Sequence, residues 1–221
     1  MKRYRRMPRY TKGEEIFNAV SHIVGGAFGI IAFVISLIFA CKNLDKIGIT
    51  AVIIYALSLI ILYTMSSIYH FLRINKAKKV FRILDHCTIF LLIAGSYTPY
   101  CLITLRNSIL GIIIFSIEWG ITILGIVGNA INMHNKYVKA LSQVAYLIIG
   151  WIILIAINPL IQNLALNGLI LLVAGGILYT IGVIFYALGK KVKYFHSIFH
   201  LFVLIGSILH FFSILFYVIG I

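Results

Sequence analysis

Acidic side chains are scarce in this chain: five Asp and Glu stand against 19 Lys and Arg in 221 residues. With 62% apolar residues and a mean hydropathy of +1.07, too little polar surface remains to coat a water-soluble globule. Low-complexity linkers and any soluble domain are missing, so residues 1–221 read as one hydrophobic unit. The three cysteines, Cys41, Cys87 and Cys101, lack metal-type spacing, which argues against thiolate coordination. Cys87 falls near the opposite membrane face from the other two, leaving a Cys41–Cys101 bridge as the one pairing that depth permits.

What the chain has in abundance is long apolar runs. Seven recur, at about 17–40, 47–72, 83–105, 108–131, 138–157, 164–188 and 194–221, each of a length that spans a bilayer as a helix. The expected fold class is therefore an all-α integral membrane protein, a seven-transmembrane helix bundle. Around these spans the Lys and Arg residues divide between alternate sides as 16 and 3, the minority being Lys42, Lys46 and Arg106. By the positive-inside rule the N-terminus is cytoplasmic and the C-terminus outside. The basic charge thus belongs to membrane topology rather than to nucleic acid. It should also draw anionic head groups to the cytoplasmic rim. The first apolar run is too long for a signal-peptide core and ends without a small-residue cleavage site, so no cleaved leader is expected.

Orientation gives every polar residue a depth. His70 precedes Arg73 by three residues, Asp85 follows Arg82 by three, and His196 follows Lys193 by three, with His200 one turn deeper. All four fall roughly 5–10 Å below one basic rim, at the rise of an α-helix. Ionisable groups are costly in a bilayer, and their convergence on one depth from three spans marks a functional site. Ser66 and His70 share a helix face, as do His196 and His200.

The spacing suits zinc. A His-x-x-x-His pair offers two imidazoles at chelating separation. A third from another helix completes the three-protein-ligand set of catalytic sites, so the metal candidates are His70, His196 and His200. Asp85 is placed to orient a ligand imidazole or to take a proton from water, and Ser66 to hydrogen-bond to Asp85, to water or to a substrate carbonyl. The pairing alone is common on helices; the matching depth of His70 and Asp85 gives it weight. His22, Asn18 and Glu15, at the cytoplasmic end of the first span, read as a polar helix contact rather than as ligands. His86 points about 100° from Asp85 and reads as a rim or supporting residue.

Deeper polar residues are few. Glu118 and His210 interrupt the outer halves of the fourth and seventh spans, and Glu118 is expected to be neutral and hydrogen-bonded within the bundle. They are the only deep candidates for an ion or proton transporter, which the shortage of acids disfavours. Gly25 and Gly29, the series Gly120, Gly125 and Gly128, and the series Gly175, Gly176 and Gly182 are expected to permit close helix approach. Pro99 should kink the third span in its outer third.

Four segments carry a family resemblance: Glu-Ile-Phe-Asn-Ala-Val-Ser-His at 15–22, Ser-Ser-Ile-Tyr-His at 66–70, Leu-Asp-His-Cys-Thr-Ile-Phe-Leu-Leu-Ile-Ala-Gly-Ser-Tyr-Thr-Pro at 84–99, and His-Ser-Ile-Phe-His at 196–200. In this order they resemble the bacterial hemolysin III proteins, of the superfamily that includes the progestin and adiponectin (PAQR) receptors and, more distantly, the alkaline ceramidases. The resemblance implies a seven-helix bundle in the bacterial plasma membrane, opposite in topology to G-protein-coupled receptors. It also implies zinc near the cytoplasmic side on the positions of His70, His196 and His200, with Asp85 and Ser66 beside it. Eukaryotic relatives are linked to ceramide amide hydrolysis, and the bacterial branch to membrane-lipid homeostasis and haemolysis. The long N-terminal region of the receptors has no counterpart here, so a hormone-receptor role does not carry over. The expected function is zinc-dependent hydrolysis of an amide or ester bond in a membrane lipid. The competing one is a lipid or fluidity sensor, or a membrane-perturbing cytolysin, with a structural metal.

Overall fold

Polar residues cap the first five helices. The computed structural model describes residues 10–189 and 191–220; Lys2, Arg3, Arg5, Arg6, Arg9 and Lys190 of the charge count, and Ile221, lie outside the described residues. Helix α1 (Lys12–Asn43) opens on a capping box, in which the Glu14 amide donates to Thr11 Oγ1 at 3.2 Å and the Thr11 amide to Glu14 Oε2 at 2.8 Å. Asp45 caps α2 (Lys46–Phe71), accepting from the Gly48 amide at 3.0 Å, and Asn75 caps α3 (Lys76–Pro99), accepting from the Lys78 amide at 2.8 Å. Ser108 and Asn135 do the same for α4 (Ile109–Asn132) and α5 (Lys136–Trp151).

Seven helical segments are long and apolar enough to cross a membrane. The fifth is composite: α5 passes through a 3₁₀ stretch, Ile152–Ala156, into the short α6 (Ile157–Asn163), so it runs six residues beyond its expected end at 157. The sixth and seventh are α7 (Leu166–Leu188) and α8 (Phe195–Ser213), the last extended by a π-helical segment, Ile214–Ile219. Pro99 closes α3, and the expected disturbance there takes the form of a widened π turn, Tyr100–Thr104. Two starts also move. Helix α1 begins at Lys12 and α3 at Lys76, because good caps carry a helix into charged sequence where hydropathy alone would end it.

Helix α1 packs on α2 and α8, α2 on α3, α3 on α4 and α5, and α7 on α8. Leu, Ile and Val cover the outer faces, as lipid contact requires, while α2, α3 and α8 carry most of the buried residues. Close approach depends on particular glycines: a side chain at Gly25 would strike the Tyr63 ring, and one at Gly175 the His210 ring. Gly125 likewise admits Phe90, but Gly120 faces open space, so it plays no part in the packing expected of its series. All three cysteines are free, and the Cys41–Cys101 bridge is not formed: Cys41 is exposed and Cys101 buried.

Candidate metal centre

Side chains from α2 and α8 meet at the basic end of the bundle. His70, on the penultimate residue of α2, and His196 and His200, on the first two turns of α8, each offer one nitrogen to a group whose members all lie within 4.8 Å of one another. Their ring centroids are 4.7–5.3 Å apart, and all three are buried. Nε2 of His196 and Nε2 of His200 face each other at 3.1 Å, while Nε2 of His70 has no hydrogen-bond partner. Two nitrogens bonded to one tetrahedral zinc at about 2 Å stand about 3.3 Å apart. The His196–His200 pair matches that spacing, and the three residues together could hold a metal ion.

The far sides of two of the three rings, His70 and His200, are held by α1. Nδ1 of His70 donates to Glu15 Oε2 at 2.8 Å, and Glu15 Oε1 accepts from Lys78 Nζ at 2.7 Å. The Asn18 amide stands 3.5 Å from the same His70 nitrogen. Ser21 Oγ donates to the Asn18 carbonyl at 3.0 Å and lies 3.4 Å from His200 Nδ1. With Nδ1 so engaged, His70 turns its Nε2 lone pair to the centre of the group, the arrangement metal-binding histidines use. Glu15 rather than Asp85 therefore orients His70. The expectation that Glu15 and Asn18 form a helix contact holds, since they join α1 to α2, but the residue they join to is a candidate ligand.

Helix α1 also fixes where α8 starts. Glu14 Oε1 accepts from the Tyr194 amide at 2.8 Å, and Tyr194 takes a left-handed conformation (φ 62°) that turns the chain into α8. Tyr10 closes the basic end, its ring stacked on His196 at 4.9 Å and tilted against His70 at 5.7 Å. Burial pushes the Tyr10 hydroxyl well above its ordinary pKa, helped by Tyr69, Tyr186, Asp85 and Glu15 nearby.

The rim assigned to Arg82 is misplaced. Helix α3 starts two turns earlier, and Arg82 and Lys78 are both buried at the interior of the basic end. Lys78 lies over the Tyr69 ring at 4.9 Å besides its bond to Glu15. A count of rim charges had no means of separating such a lysine from a solvated one.

Asp85 and Ser66 meet as expected, the Ser66 hydroxyl facing the Asp85 carboxylate with Arg82 alongside. Both line a cavity of about 130 Å³ that also touches His196 and His200 and extends along α8 to His210. His196 and His210 are fourteen residues apart along α8, roughly 21 Å. Most of the wall is Leu, Ile, Val and aromatic rings. His86 lines this cavity too, its backbone carbonyl accepting from the Tyr146 hydroxyl at 2.8 Å. The carboxylate of Asp85 is not among the atoms that converge, so among the described residues the group is three imidazoles.

In the outer half, Glu118 and His210 do not pair. His210 Nε2 donates to the Leu172 carbonyl at 3.1 Å, and neither Glu118 oxygen has a hydrogen-bond partner, contrary to the bond expected within the bundle. The residues that sequence reasoning missed are Tyr10, Ser21 and Lys78, which carry no metal-binding signature and act only through contacts made on folding.

Fold and site together define a seven-span membrane protein with a buried three-histidine group at its basic end. The chain belongs to the Haemolysin-III related family, whose model matches residues 10–211. It is similar to "Hemolysin-3" of Bacillus cereus, 45% identical over 96% of this chain and 95% of the relative, and to "Hemolysin-3 homolog" of Bacillus subtilis (strain 168), 39% identical over 94% and 96%. A more distant likeness, 28% over 73% of this chain and 67% of the relative, joins it to "Monocyte to macrophage differentiation factor" of Homo sapiens. With such relatives, the seven apolar spans make it a multi-pass bacterial membrane protein.

Proposed function

We propose that this protein is a zinc-dependent hydrolase acting on an amide or ester bond of a membrane lipid, with a role in membrane-lipid homeostasis. The observation that carries the reading is the convergence of His70, His196 and His200 beside an elongated apolar cavity that also holds a carboxylate and a hydroxyl. Zinc on these three residues would polarise a carbonyl and lower the pKa of a coordinated water to about 7. Three protein ligands match catalytic sites, whereas a purely structural zinc calls for four.

The chain's own groups divide the remaining work. Glu15 and Ser21 fix the two ligand rings through their outer nitrogens. Asp85, beside the same cavity, accepts a proton from the attacking water and returns it to the leaving amine or alkoxide. Ser66 orients that carboxylate and donates to the developing oxyanion when the carboxylate is protonated. The apolar wall toward His210 takes an acyl chain and keeps bulk water away from the reacting bond.

Elemental analysis of purified protein tests the metal: wild type should carry about one zinc per chain, and His196→Ala/His200→Ala should carry almost none. Lipid profiling of cells tests the chemistry, because Asp85→Asn should leave the substrate lipid uncleaved with the metal still bound. Equal zinc in wild type and double variant, or a lipid profile indifferent to Asp85→Asn, would sink the reading. The names of the Bacillus relatives favour a second one, a membrane-perturbing cytolysin. That reading expects dye leakage from liposomes to survive loss of the histidines.

A further inference from the structure

One glycine on the cavity wall has no structural reason to be a glycine. Helix α5 lines the cavity along a single stripe, Gln143, Tyr146, Leu147, Gly150 and Trp151, and Gly150 falls near the middle of that stripe. Glycine inside a helix is destabilising relative to alanine. The backbone does not call for it, because Gly150 lacks the positive φ that favours glycine. Nor does packing, since a side chain there would meet nothing within 4 Å, unlike one at Gly25 or Gly175. What a side chain at Gly150 would occupy is the cavity itself.

The next residue closes the passage that Gly150 leaves open. Gly176 on α7 makes room for the Trp151 ring, which a side chain there would touch at 3.4 Å. The indole Nε1 donates to Thr180 Oγ1 at 3.0 Å, and that hydroxyl donates to the Gly176 carbonyl at 2.8 Å. Trp151 is thereby fixed between α5 and α7. Two more rings at this end have their hydroxyls engaged: Tyr97 donates to the Gly150 carbonyl, and Tyr179 bonds to Ser207 at 2.9 Å. The outer end of the cavity is an apolar, anchored wall.

Its distance from the histidines is that of an acyl chain. Asp85 and Tyr97, which line the two ends on α3, are twelve residues apart, roughly 18 Å. The hydrocarbon of one bilayer leaflet is about 15 Å thick. Spread over such a length, about 130 Å³ makes a slot rather than a chamber.

We infer that the outer end of this cavity measures chain length. Trp151 is the stop against which the methyl end of one acyl chain rests, and Gly150 is the gap that lets the chain reach it. The inference rests on the hydrolase reading for where the chain begins, and it deepens that reading by limiting which chains fit. A methylene that finds no room in the slot forfeits about fourfold in affinity.

The test is equilibrium binding of isotopically labelled decanoic, hexadecanoic and eicosanoic acids to the purified, zinc-loaded protein in detergent. Each acid is compared between variants at one detergent concentration, so that its partition into micelles cancels. Wild type should gain affinity from decanoic to hexadecanoic acid and gain nothing further with eicosanoic acid. Gly150→Leu should bind decanoic acid as wild type does and hexadecanoic acid about tenfold or more weaker. Trp151→Ala should leave decanoic acid unchanged and bind eicosanoic acid about tenfold or more tightly than wild type does. Gly150→Val serves in place of the leucine variant if that one gives no folded protein.

A variant that merely misfolds cannot lose one chain length and keep another. Wild-type affinity that climbs evenly through eicosanoic acid overturns the inference, as does a Gly150 substitution that weakens all three acids equally or none. So does a Trp151→Ala profile that ends at the same length as wild type. Failure of the hydrolase reading looks different: the length limit stands, and no ester or amide of a bound chain is cleaved.

Discussion

At the scale of single residues, the candidate centre depends on partners that lie behind its histidines. Glu15 is the clearest, since it joins His70 and Lys78 in one bridge with bonds of 2.8 and 2.7 Å. Removing such a partner from a metal-binding histidine typically weakens the metal 10–100-fold. If the centre holds zinc as proposed, Glu15→Gln should lower zinc affinity by about that factor in competition with a chelator, while the bundle still folds. His70→Ala should abolish the third ligand outright. None of this was legible from residue type, because Glu15 and Asn18 sit at helix spacing from His22 and look like an ordinary polar stripe. The histidines and Asp85 were legible for a physical reason: few ionisable groups interrupt these spans, so each one stands out against the cost of burying it.

At the scale of elements, side-chain caps mark where the first five spans begin. Asp45 accepts from the Gly48 amide at 3.0 Å and pairs with Arg106 at 2.7 Å, joining the start of α2 to the loop before α4. The cap bond, then the arginine, hold its carboxyl below the usual aspartate range. A group depressed in the folded state adds stability above its unfolded pKa of about 3.9 and loses it as pH falls through the folded value. Thermal melts in detergent should show a small decline of midpoint below about pH 4, and Asp45→Asn should flatten that limb. Hydropathy located all seven spans but misjudged three of their ends. It truncated α1 and α3 where capped helices run on through charge, and it stopped the fifth span at Asn158 and Pro159, which the first turn of α6 accommodates.

At the scale of the whole molecule, the sequence contained the crossings and the charge asymmetry, and the structure supplied which helices touch. Adjacency was the missing quantity. Nothing in the spacing of 15–22 announces that α1 would serve both α2 and α8, yet that contact orients two imidazoles and fixes the first turn of α8. The same gap explains Glu118, whose bonding could not be judged without knowing its neighbours.

The position of Tyr10 bears on traffic. Its ring packs against His196 and His70 at the basic end, so an ion held by the imidazoles would lie beneath an aromatic ring. Hydrophilic chelators such as EDTA should then strip zinc from wild type slowly and from Tyr10→Ala quickly, whereas a membrane-permeant chelator should make little distinction between the two. On the proposed reading, a zinc ion held by the three imidazoles would exchange with soluble metal buffers more slowly for the aromatic ring stacked over them.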